Sequence, residues 1–126
     1  MFFSPQEIRF SEDLVDEYES GQIIFQEGDT DRELYIVQEG EVRVSKKVSG
    51  DQQIVLASLK RGDFIGEIAL LHSVPRTATA TAIGKTRLLK ISPGGFLLKI
   101  RRDPTFAFEM LQNMAARLSQ INDQLT

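Results

Sequence analysis

Gly62-Asp63-Phe64-Ile65-Gly66-Glu67-Ile68-Ala69-Leu70-Leu71-His72-Ser73-Val74-Pro75-Arg76-Thr77-Ala78-Thr79-Ala80-Thr81-Ala82 is the stretch on which the reading of this chain turns. It holds one arginine, Arg76, and two acids, Asp63 and Glu67, of which only Glu67 follows the central glycine. Residues 66–71 are too few for a free-standing helix, but one or two turns fit them. A glycine at their start lets the backbone come close to a ligand. The first amides of such a turn lack intrahelical partners and face anything negative in front of them. Arg76 adds a planar fork of donors that matches a phosphate. A carboxylate at Glu67 would repel that phosphate, so its natural partner is a hydroxyl such as a ribose 2′-OH. Amides and an Arg for a phosphate, beside an acid for a sugar hydroxyl, describe a nucleotide cradle.

Gly66-Glu67-Ile68-Ala69-Leu70, a short loop, then Pro75-Arg76-Thr77-Ala78-Thr79 resembles the phosphate-binding cassette of cyclic-nucleotide-binding domains. That family includes the regulatory subunits of cAMP-dependent protein kinase, bacterial cAMP receptor proteins and nucleotide-gated channels. The likeness extends from about Ser20 to Ser119 and takes in Ile24-Phe25-Gln26-Glu27-Gly28-Asp29, Leu34-Tyr35-Ile36-Val37, Gly40 and Gly62-Asp63 in the family's order. It implies a phosphate held by Arg76 and by the amides of Ile68, Ala69 and Thr77, with Glu67 on the ribose 2′-hydroxyl. It also implies a last helix that covers the base, which by likeness to the cAMP receptor proteins brings Asn122 near it. An Asn amide serves either purine, and a Thr after the Arg is compatible with cAMP and with cGMP. The base stays open. Where the family often has Phe before the cassette Gly, this chain has Ile65 preceded by Phe64.

Each residue also has a plainer reading. Arg76 alone would be an exposed Arg paired with a surface acid; Pro75, which fixes its own φ and restricts Val74, turns it into an aimed one. Glu67 alone would be a favourable charge in a first helical turn. Asp63 reads as a turn former. His72 is the one histidine, and one His without a second ligand does not build a typical metal site.

Composition narrows the rest. With 126 residues, 41% of them apolar and 26% charged, the chain is expected to be a single globular domain over 1–126. No apolar run approaches the ~20 residues of a membrane span, and the N-terminus, although Met1-Phe2-Phe3 is apolar, lacks the basic start and long apolar run of a secretory signal. The absence of cysteine rules out disulfides and thiolate sites and fits a cytoplasmic protein. A net charge of −3 argues against a nucleic-acid surface.

In chain order, Ser4-Pro5-Gln6-Glu7 and Ser11-Glu12-Asp13-Leu14 read as helix starts or as a loosely held leader. Turn signals at Gly21, Glu27-Gly28-Asp29, Glu39-Gly40, Ser49-Gly50-Asp51, Arg61-Gly62-Asp63 and Ile83-Gly84 then separate short Ile, Val, Leu and Thr-rich runs. Strands are expected at about 15–19, 22–26, 33–39, 41–48, 53–59, 63–65, 77–82 and 86–92. Ser92-Pro93 and Asp103-Pro104 are cap-plus-proline pairs that open two helices. The fold class is mainly β with C-terminal helices: a jelly-roll (double-stranded β-helix) barrel over about 15–92, a short phosphate-binding helix, and two terminal helices over about 93–125.

The function expected is a regulatory sensor that binds cAMP or cGMP and signals through its C-terminal helices to an effector protein, with no catalysis, cofactor, metal, nucleic acid or membrane involved. The alternative is a degenerate family member that kept the fold as a protein-interaction module. A cupin-like metalloenzyme needs several His ligands, and a transcription regulator needs a helix-turn-helix domain beyond Thr126. Leu111, Met114, Leu118, Ile121 and Leu125, spaced alternately by three and four, predict a homodimer through the last helix. Phe106, Phe108 and Met110 are expected to pack that helix's start on the barrel.

Overall fold

Period-2 alternation carries apolar side chains to both faces of the central strands, and that sets the architecture. The computed structural model describes residues 14–125, with side chains through Gln120. The elements are β1 (Leu14–Tyr18), β2 (Ile23–Phe25), β3 (Leu34–Ser49), β4 (Gln52–Lys60), β5 (Phe64–Ile65), α1 (Glu67–His72), β6 (Thr79–Ile91), α2 (Pro93–Arg102) and α3 (Pro104–Leu125). All pairings are antiparallel, in the order β1-β6-β3-β4, with β2 also on β6 and β5 on β3. The mainly β jelly roll, the short helix before β6 and the two terminal helices are all present. The helix starts expected at Ser4 and Ser11 lie outside the described residues.

Consecutive residues serve different cores. Tyr35, Val37, Val42 and Leu88 join Phe25, Leu59, Ile65 and Ala80 in one cluster inside the barrel. Leu34, Ile36, Leu89 and Ile91 point the other way and meet Phe64, Leu70, Phe96, Phe106 and Met110 of the helical layer. Burying such a side chain stabilises by about 1.5–3 kcal/mol. A register slip of one residue would exchange the two clusters, so the pairing is strongly specified.

Two expected turns are not turns. Gly40 and Gly84 lie inside the continuous strands β3 and β6, so the four strands expected at 33–39, 41–48, 77–82 and 86–92 are two. The pairing of β3 with β6 shifts register around Glu39, so the long ribbon bends there without ending. At Gly40 only glycine fits. Its φ is +91°, and a Cβ would lie 2.4 Å from the Lys85 carbonyl oxygen and 2.8 Å from Thr86 Cα.

The helix caps form as the sequence implies. The Ser92 side chain accepts from the Gly95 amide at 3.0 Å, with Pro93 in the first helical position. Asp103 Oδ1 accepts from the Thr105 amide at 3.1 Å at the start of α3. The predicted seam on α3 changes its membership. Phe106 and Met110 are buried and Met114 packs partly against the same cluster, so Met114 belongs to the barrel face. Phe108, expected on the barrel, is 60% exposed and falls in line with exposed Leu111, Ala115 and Leu118. Helical rotation explains the change: positions 106, 110 and 114 form one ridge, and 108, 111, 115 and 118 lie on another face. The side chains of Ile121, Asn122 and Leu125 are outside the described residues. Among the described residues no helix is long and apolar enough to cross a membrane.

Candidate functional site

The segment from Gly66 to Thr77 leaves the barrel after β5, makes α1, and returns as β6. Gly66 caps α1 with φ 95° and ψ 7°, a left-handed conformation that favours glycine. A Cβ there would sit 2.5 Å from Arg76 Nη1 and 2.7 Å from the Glu33 carbonyl oxygen. The close approach read from the sequence is therefore made, in this structure, to the chain's own Arg76. The Leu70 amide donates to the Gly66 carbonyl at 3.2 Å as the first bond of the turn, so the Glu67, Ile68 and Ala69 amides precede the ladder.

Arg76 is 3% exposed. Its Nε and Nη2 donate to the two carboxylate oxygens of Asp31, Nη1 donates to the Gly66 carbonyl (3.2 Å), and Nη2 also donates to the Glu33 carbonyl (2.8 Å). The guanidinium lies 4.0 Å from the centre of the Phe25 ring. Its backbone is held too, with its amide on the Asp29 carbonyl (2.7 Å) and its carbonyl accepting from the Gly28 amide (2.8 Å). A guanidinium has five N–H donors, and these four bonds leave one on Nη1. Asp31 and Glu33, which supply most of these partners, escaped the sequence reading. Their one signal is an acid-rich loop directly before a buried strand.

Glu67 meets a partner from far along the chain. Arg117 on α3 donates from Nη1 to Glu67 Oε1 at 3.3 Å and from Nη2 to the Phe64 carbonyl at 3.1 Å, with its guanidinium 4.7 Å from the Phe64 ring centre. The Glu67 side chain is 14% exposed and that of Arg117 33%. Arg117, like Asp31 and Glu33, escaped the sequence reading. Its place one turn beyond buried Asn113 is what puts it on the barrel side of α3.

These side chains line one cavity of about 150 Å³, between the apolar walls Phe25, Val44, Ala57, Leu59, Ile65 and Ala78 and the polar set Gly66, Glu67, Arg76, Thr77 and Arg117, with Ile68 and Ala69 from α1. Six of the seven site residues expected from sequence are therefore brought together. Asn122, the seventh, has its side chain outside the described residues. Thr77 is exposed, and its carbonyl accepts from Lys46 Nζ at 3.3 Å. His72 is exposed at the end of α1, and Asp63 Oδ2 accepts from the Lys60 amide at 2.9 Å, closing the turn before β5. Below the Arg76–Asp31 pair, Tyr35 packs against Phe25 with ring centres 6.1 Å apart. Burial, then the charge of Tyr18, pushes the Tyr35 phenol well above its ordinary range; burial and then Asp16 push Tyr18 up to about 12. Among the described residues no cluster of three or more His, Cys, Asp or Glu could hold a metal ion.

Known proteins are similar to this chain in sequence and in fold. Residues 15–103 match the model of the cyclic nucleotide-binding domain. The chain is 42% identical over 79 residues to a cAMP-dependent protein kinase regulatory subunit of Eremothecium gossypii, covering 63% of this chain and 16% of that one. It is 36% identical over 108 residues to the cyclic AMP receptor protein of Thermus thermophilus, covering 86% of this chain and 50% of the other. The crystal structure of the Thermus thermophilus catabolite activator protein superposes with a TM-score of 0.82 at 34% identity, over 90% of this chain and 53% of that one. The chain thus spans half or less of the length of these curated relatives. Since the family match runs from β1 to the end of α2 and includes every residue that builds the cavity except Arg117, the chain belongs to the cyclic nucleotide-binding domain family.

Proposed function

We propose that this chain is a regulatory sensor that binds a cyclic nucleotide, cAMP or cGMP, and passes the event to α2 and α3. The observation that carries the reading is the convergence of Gly66, Glu67, Ile68, Ala69, Arg76 and Thr77 on one apolar-walled cavity. In this reading the phosphate takes the amides of Ile68, Ala69 and Thr77 and the remaining Nη1 donor of Arg76, the ribose 2′-hydroxyl takes Glu67, and Asn122 lies near the base. The names of the relatives favour cAMP. Apolar walls exclude water and strengthen each polar contact. Binding is the whole activity: the module works in the cytoplasm on an effector protein, with no catalysis, cofactor, metal, nucleic acid or membrane surface.

Signal transfer runs through Glu67. The same carboxylate that would meet the ribose holds Arg117 on α3. A ligand that changes this pair changes the hold on α3, which is a coupling between pocket and helix. Calorimetric titration with cAMP, cGMP and 5′-AMP tests the reading. Saturable binding of a cyclic nucleotide, with 5′-AMP much weaker, is expected; no heat from either cyclic nucleotide would sink it. One observation favours the alternative of a nucleotide-free interaction module, namely that most Arg76 donors are already occupied within the chain, and the same titration separates the two.

The homodimer belongs to this reading as well. The exposed line Phe108, Leu111, Ala115 and Leu118 keeps the alternating three-and-four spacing of a coiled-coil seam after Met114 has gone to the barrel. Two copies pairing along it would carry the state of the pocket across the interface. Light scattering is expected to give a dimer, strengthened by nucleotide; a monomer with and without nucleotide at high concentration would remove it.

A further inference from the structure

Arg32 is the side chain that holds the far end of α1. It lies in the loop before β3, and its Nε donates to the Ala69 carbonyl at 3.3 Å while Nη2 donates to the Leu70 carbonyl at 2.8 Å. The two carbonyls differ in their other partners. The helix stops at His72, and Ser73 closes it with φ 56°, its amide on the Ala69 carbonyl at 3.1 Å. Among the described residues the Leu70 carbonyl receives no such backbone donor, and Arg32 supplies one together with a positive charge at the helix C-terminus.

The neighbours of Arg32 act on the other limb of the site. Asp31 carries Arg76 through its side chain, and Glu33 accepts from Arg76 through its carbonyl. Three consecutive residues, 31 to 33, thus grip both α1 and Arg76. Glu67 stands at the opposite end of the helix that Arg32 grips, and α1 is only 6 residues long. A shift at one end of so short a rod moves the other by a comparable amount.

We infer that Arg32 is a positioning residue of the nucleotide site: by holding the Ala69 and Leu70 carbonyls it keeps Glu67 at its set distance from Arg76. The inference rests on the site reading above and adds to it a residue outside the cavity. Arg32 is solvent-exposed, so its replacement removes two hydrogen bonds without opening the core.

The experiment compares the wild type, Arg32→Ala and Arg32→Lys by calorimetry with cAMP and cGMP. The Arg76 Nε–H resonance and the Glu67 amide resonance are followed by NMR in the same samples. Arg32→Ala is expected to bind about tenfold more weakly, the scale of one charge-assisted hydrogen bond. Arg32→Lys, which keeps the charge and one donor, should fall between. The Glu67 amide should move while the Arg76 Nε–H signal stays. Binding by Arg32→Ala within twofold of the wild type would overturn the inference. So would a loss of affinity accompanied by loss of the Arg76 signal, since that reports general loosening. Failure of the wild type to bind either nucleotide would instead overturn the site reading itself.

Discussion

Arg76 joins the 66–77 segment to the barrel, and Arg117 joins it to α3. The first is buried, meets both oxygens of a carboxylate and two backbone carbonyls, and sits over an aromatic ring. The second is one-third exposed and makes only two bonds, one of them to the carboxylate that the ribose would use. Taking one partner from a buried ion pair costs about 3–5 kcal/mol, whereas a partly exposed pair is worth about 1 kcal/mol or less. The contrast teaches a division of labour. The barrel side is held firmly and the α3 side loosely, and on the proposed reading the loose side is the one a ligand shifts.

Replacing Arg76 by Ala attacks the strong side and carries the largest expected effect. Affinity for the cyclic nucleotide should fall by about two to three orders of magnitude. Because Asp31 and the Gly66 and Glu33 carbonyls lose their donor together, thermal stability should fall as well, by about 3 kcal/mol or more. Calorimetry and a melting curve on the same sample check both. A variant with unchanged melting would show that Arg76 is dispensable to the barrel and would erase the contrast.

Glu67→Gln tests the residue the two sides share. It keeps the shape and removes the charge, so it weakens both the ribose contact and the Arg117 pair. About tenfold weaker binding is expected, together with faster amide hydrogen exchange in α3. Should exchange in α3 stay as in the wild type, Glu67 would have no part in holding that helix.

Arg117→Ala attacks only the weak side. Stability should drop by no more than about 1 kcal/mol, a fall of about 3–5 °C in melting temperature for a chain of this size. The ligand should then produce a smaller change in α3 exchange than it does in the wild type. An undiminished response would mean that the signal leaves the pocket by another contact.

An effect absent at neutral pH is expected at alkaline pH, on the barrel side alone. The Tyr18 and Tyr35 phenols are raised above their ordinary value of 10.0, so the folded chain keeps protons that the unfolded chain releases. Stability should be unaffected below about pH 10 and decline as pH rises towards 12. Tyr35→Phe should flatten that decline in a pH series of melting curves; an identical series would show that the phenols do not govern it.

The local chemistry of the site was legible because it is written contiguously. Gly66, Glu67, Pro75 and Arg76 lie within one short segment between β5 and β6, and a glycine requirement, a charge and a fixed φ act over a few residues. The alternating strands, the Ser92-Pro93 and Asp103-Pro104 caps and the β-then-α order were legible for the same reason: periods of 2 and 3.6 and capping bonds are short-range. What Arg76 touches was not. Asp31 is 45 residues away from it in sequence, and Glu67 is 50 from Arg117. Such pairs exist only after β3 and β6 have registered and α3 has docked. Gly40 and Gly84 were misread as turns because a left-handed glycine looks the same in sequence whether it ends a strand or bends one. Only the pairing of β3 with β6 decides that. Met114 and Phe108 exchanged faces for a related reason, since heptad and barrel-facing patterns overlap on one helix and the angle at which α3 docks selects between them. Side-chain type and short-range geometry thus determined which groups could hold a nucleotide. Long-range strand register and helix docking decided which partners those groups hold within the chain, because only the packing of distant segments brings them within hydrogen-bonding reach.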